Sequence, residues 1–96
     1  MANGGNALDE RRSALANMEQ QVKQTCDAEG APTIQYPFYL CFGREMFALT
    51  RKDISGESLA QEAATLIAKW VARGLTQATL QAIRTQVFNV GAPVAP

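Results

Sequence analysis

The residues able to do chemistry are few and scattered. Asp53, Glu57 and Glu62 stand close enough in sequence for two of them to act as a carboxylate pair, Asp53 with Glu57 or Glu57 with Glu62. Such a pair could divide general acid from general base. Acids also gather at helix starts, where the dipole favours negative charge, and that accounts for these three without catalysis. Cys26 and Cys41 are the two thiols, and a nucleophilic or redox cysteine needs a nearby base or a depressed pKa. The chain has no histidine. The thiols are therefore expected to be buried as small hydrophobes, and they are too few for a disulfide scaffold. The same two facts leave a four-ligand zinc site of nitrogen and sulfur short of ligands. No GxGxxG or GxxxxGK[ST] pattern occurs, so no phosphate loop is indicated. Arg51-Lys52 reads as a solvated strand end rather than an anion site. No catalytic residue, metal or cofactor is expected.

One stretch resembles a DNA-binding motif. In "KWVARGLTQATLQAIR" Gly74 falls in a short turn and is followed by Leu75, Leu80 and Ile83 at the spacing of a helix-turn-helix. Trp70 stands where that motif wants a small residue, and the would-be reading helix offers Gln77, Gln81 and Gln86 with one base, Arg84. Lys and Arg on phosphates supply most non-specific DNA affinity, so a helix this neutral makes nucleic acid the alternative reading, not the first.

These residues need elements to position them. At 96 residues the chain is one domain by length, with the folding part expected over 8–90 and disordered tails over 1–7 and 91–96, where Gly, Asn and Pro gather. Nine acidic residues balance nine basic ones, so no overall field steers the chain toward polyanions. No early apolar run follows a basic segment and none approaches the ~18 residues of a spanning helix, so neither signal peptide nor membrane anchor is expected, and the location expected is the cytoplasm.

Leu8, Leu15 and Val22, with Met18 and Cys26 beside them, form the apolar stripe of a first helix running to about Ala28, ended by Gly30 and Pro32. "YPFYLCFGREMFALT", residues 36–50, reads as two apolar strands around Gly43-Arg44, a two-residue turn of type II′. That register puts Phe38, Leu40, Phe47 and Leu49 on one face, extended by Ile34 and Tyr36, and Tyr39, Cys41, Met46 and Ala48 on the other. Pro37 would sit at an unpaired or bulged edge. Ser55 or Asp53 is then expected to cap a helix running to about Arg73, whose wide apolar arc marks it as central, with Trp70 largely buried. Gly74 and Leu75 have the pattern of a Schellman turn, and Thr76 would cap a last helix reaching about Phe88.

The expected fold is α+β: helix, strand, strand, helix, helix, with an antiparallel β-hairpin packed on a central helix. Helices cover only one face of a hairpin, so Tyr39, Cys41, Met46 and Ala48 are the expected protein-interaction residues. The expected function is a small non-enzymatic interaction or assembly module, a homodimer joined through the hairpin, with an unidentified protein as the other partner. The Leu8, Leu15 and Val22 stripe is the competing interface.

Overall fold

A computed structural model describes residues 3–91, with side chains over 9–89. Four helices follow one another: α1 over Asn3–Glu29, α2 over Tyr36–Leu49, α3 over Gly56–Ala72 and α4 over Gln77–Gly91. A 3-10 turn, Thr33–Gln35, leads into α2. The described residues contain no strand. The α+β expectation is therefore overturned, and the fold is all-helical. Of the disordered tails expected over 1–7 and 91–96, residues 3–7 fall in α1 and residue 91 in α4, while 1–2 and 92–96 lie outside the described residues.

The correction turns on residues 36–50. Between Tyr36 and Leu49 the five aromatics, Tyr36, Phe38, Tyr39, Phe42 and Phe47, suit a strand, but no β-branched residue joins them, and Leu, Arg, Glu, Met and Ala favour helix. Pro37 stands in the first turn of α2, where its missing N–H costs nothing. Tyr39, Phe42, Met46 and Leu49 are buried at spacings of three and four, which is one face of a helix.

Gly43 makes no turn. A Cβ built on it would lie 2.7 Å from Cγ2 of Val22 and 3.2 Å from Sδ of Met18. Its role is to let α1 and α2 approach closely, which a side chain would prevent. Arg44 beside it reaches Glu19 on α1, with Nη2 at 2.7 Å from the carboxylate.

Helix ends follow their chemistry. Gly74 takes a positive φ of 102°. Its N–H bonds the Val71 carbonyl at 3.0 Å, and the Leu75 N–H bonds Trp70 at 3.1 Å, which is the Schellman pair expected there. Gly30, at φ 72°, closes α1 with the same two bonds, to Asp27 at 3.2 Å and from Ala31 to Cys26 at 2.9 Å. Ser55 precedes α3 with extended backbone and makes no side-chain cap bond.

The expected centre also moves. α2 and α4 lie between α1 and α3, whose backbones do not come close to each other among the described residues. Met18, Val22, Phe42, Met46, Leu80, Ile83 and Val87 are sealed from solvent where α1, α2 and α4 meet. α3 buries only Ala63, Ile67 and Trp70, so it flanks the core, although Trp70 is buried as expected.

Candidate functional site

The four residues expected at an interface do not share a face. Tyr39 and Met46 are fully buried, while Cys41 and Ala48 are exposed, because positions two apart lie on one side of a strand but ~200° apart around a helix. Tyr39 is engaged inside the molecule: its hydroxyl accepts the Thr76 N–H at 3.0 Å and ties α2 to the start of α4. The α1 stripe faces inward, with Val22 buried and Leu15 half-buried. Leu8 lies outside the described side chains.

The other candidates stay dispersed. Asp53 and Glu57 are exposed, and Glu62 accepts Lys52 Nζ at 3.0 Å. Cys26 is buried, and burial first, then the charge of Asp27, pushes its thiol up to about 11. Tyr36 donates its hydroxyl proton to Asp27; that hydrogen bond, together with desolvation and the nearby negative charge, raises its pKa to about 12. Neither group is poised for attack at neutral pH. No group of three or more His, Cys, Asp or Glu side chains that could hold a metal occurs among the described residues. The last two helices leave α4 packed against α1, α2 and α3, with Leu80, Ile83 and Val87 buried. Arg84 remains its one base, and its guanidinium sits 5.6 Å from the Phe88 ring centroid.

What stands out lies at the corner where the start of α2 meets the end of α3. Ile34 is 80% exposed and Phe38 is 51% exposed. Ile34 belongs to the 3-10 turn that runs directly into α2, and Phe38 to the first turn of α2. Beside them is a recess of about 170 Å³, lined by Gln35, Phe38, Trp70, Arg73 and Leu75. A void on the order of 150 Å³ accepts a benzene-sized group, whereas pockets for whole small molecules run to ~300–1,000 Å³. The recess fits one side chain.

Its back wall is held from behind. Glu45 on α2 accepts Lys69 Nζ and the indole N–H of Trp70, each at 2.6 Å. Burial alone would raise the pKa of Glu45, but these two hydrogen bonds, with the charges of Lys69 and Arg73, outweigh it and lower it. The Arg73 guanidinium lies 5.0 Å from the Trp70 ring centroid, a cation–π stack. Among the described residues Arg73 makes no ion pair within 4 Å, while Arg44, Lys52 and Lys69 each do. One carboxylate against two cations leaves the corner with one positive charge in excess.

Sequence reasoning places Trp70 and misses the corner. A ribbon puts Ile34 and Phe38 on its covered face, so their exposure becomes visible only when the segment is helix.

A second groove, of about 460 Å³, runs between α1 and α2 past Val22, Lys23, Cys26, Tyr36 and Leu40. Its lining holds one charge of each sign, Glu19 and Lys23, so it favours neither. No helix among the described residues is long and apolar enough to cross a membrane.

Fold and surface together define a small four-helix domain with one apolar, cationic corner. The chain matches no family model, no curated protein and no solved structure.

Proposed function

We propose that the protein is a small non-enzymatic interaction module that works in the cytoplasm by contact with another protein surface, a second copy of itself or a different chain, at the corner of Ile34, Phe38, Trp70 and Arg73. One observation carries this reading: the large apolar side chain of Phe38 stands half in solvent at a side-chain-sized recess walled by Trp and Arg, with Ile34 exposed in the turn just before it. Contiguous exposed apolar surface of this kind marks interaction sites, and Trp and Arg are among the residue types that dominate binding energy. A chain without histidine, whose half-buried carboxylate Glu45 is already engaged by Lys69 and Trp70, supports the non-enzymatic part. Two unpaired thiols fit a reducing compartment.

Photo-crosslinking tests the reading directly. A benzoylphenylalanine placed at position 38 should give discrete adducts in cells, and one at Thr65, exposed on the polar side of α3, should not. An adduct of twice the chain mass identifies a second copy. Equal labelling from both positions, or none from position 38, would sink the proposal.

A further inference from the structure

Resting on that reading, we infer that the corner receives a segment of a different protein that presents one bulky apolar side chain next to a carboxylate. The recess of about 170 Å³ takes the side chain. Phe38, half-exposed, forms one wall against it, and Arg73 takes the carboxylate.

Three features select this chemistry. The first is charge: Arg73 stacks on Trp70 without an ion pair of its own among the described residues. A planar guanidinium already held by an aromatic face loses little freedom when it binds a carboxylate through two N–H donors. The second is that the helix ends at the corner add little field of their own, which leaves Arg73 to set its sign: at the start of α2 the Tyr36 N–H already bonds the Thr33 carbonyl and Pro37 has no N–H. The opposing pole of α3 is muted there, because the Trp70 and Val71 carbonyls accept the Leu75 and Gly74 N–H groups.

The third feature decides between a different chain and a second copy. A two-fold pair built on this corner would bring an unpaired Arg73 toward its own symmetry mate, with no unpaired carboxylate in the recess to meet it. Two exposed apolar side chains are also far short of the ~800 Å² per partner that a stable interface buries. A short acidic segment needs neither symmetry nor that area.

Nitrogen-15 correlation spectra of the whole chain test this with three pools of short synthetic peptides. Each pool carries a central Phe or Leu, flanked by Asp and Glu, by Asn and Gln, or by Lys. The acidic pool should shift the single Trp70 indole signal and the Phe38 and Arg73 amides, with affinity at least ~10-fold above the neutral pool, as expected for a charge-assisted hydrogen bond. R73Q should abolish that preference while leaving the apolar contribution, and F38S should weaken all binding.

If neutral or basic peptides move the same signals equally well, the acidic partner is wrong and the interaction surface stands. If no pool moves them, both fall. If these signals depend on protein concentration in the absence of peptide, a second copy occupies the corner, and the inference of a different chain is overturned.

Discussion

The seam between α1 and α2 and the corner between α2 and α3 are built from the same helix and have opposite characters. At the seam Met18, Val22, Phe42 and Met46 are fully excluded from water, and Gly43 brings the two backbones together. At the corner α2 turns Phe38 into solvent and leaves a recess against Trp70. One face of α2 is filled by the chain itself and the other is left to be filled. The contrast says where stability resides and where an encounter with another molecule can occur without disturbing it.

The largest difference should appear between two phenylalanines of the same helix. Phe42→Ala removes a ring with no exposure and should cost ~3–5 kcal/mol in urea unfolding. Phe38→Ala, at a half-exposed ring, should stay within ~1 kcal/mol. Similar losses at both positions would erase the distinction between seam and corner.

Next comes Gly43→Ala. The added methyl meets Val22 at 2.7 Å, and overpacking of this kind costs ~1–3 kcal/mol. About 1 kcal/mol returns because alanine favours helix over glycine. A net loss is expected. Because the strain has a named partner, Val22→Ala in the same chain should cost less than it does alone, a coupling that a double-mutant cycle measures. Additive costs would place Gly43 away from α1.

Gly43 also shows what is legible in the sequence. Every helix apart from α2 can be read from periodicity and end signals: the inward Leu15, Met18, Val22 and Cys26 of α1, the Gly74-Leu75 ending and the burial of Trp70 all stand. A glycine between two apolar runs has two physical uses, a turn that needs left-handed backbone or a close helix crossing that needs no Cβ, and spacing alone does not separate them. Local propensity is mixed from 36 to 49, with five aromatics that suit a strand and no β-branched residue, so the burial of Tyr39, Phe42, Met46 and Leu49 at helical spacing decides for helix. A ribbon there puts Tyr39 and Met46 on an outer face and makes α3, with its wide apolar arc, look central. The corner is not legible in sequence, since it depends on which part of that arc α2 and α4 leave uncovered.

A smaller effect is expected from Glu45→Gln, where an acceptor for the Trp70 indole remains but the pairing with Lys69 is lost. The pair is about a third exposed, which puts its worth at ~0–1 kcal/mol. The folded-state pKa of Glu45 is lowered, so its contribution is present above the unfolded value of ~4.3 and disappears as pH falls through the folded one. The stability gap between wild type and Glu45→Gln should therefore be full at neutral pH and close in acid. A gap that widens in acid would reverse the sign.

The two thiols probe the comparison with no stability change at all. In the native protein a maleimide should label exposed Cys41 and leave Cys26, buried and raised to about 11, unlabelled until the chain unfolds. Mass spectrometry of the labelled peptides would show it, and early labelling of Cys26 would mean that the seam is open.

Seam and corner both require residues 36–49 to be one helix pressed against α1. Carbon chemical shifts and through-space proton contacts in the labelled protein test this in a single data set. Helical shifts running unbroken through Gly43, with contacts from its α-protons to the Val22 methyls, are the predicted result. Extended shifts on both sides of Gly43, with cross-strand contacts between Cys41 and Met46 and none to Val22, would contradict it.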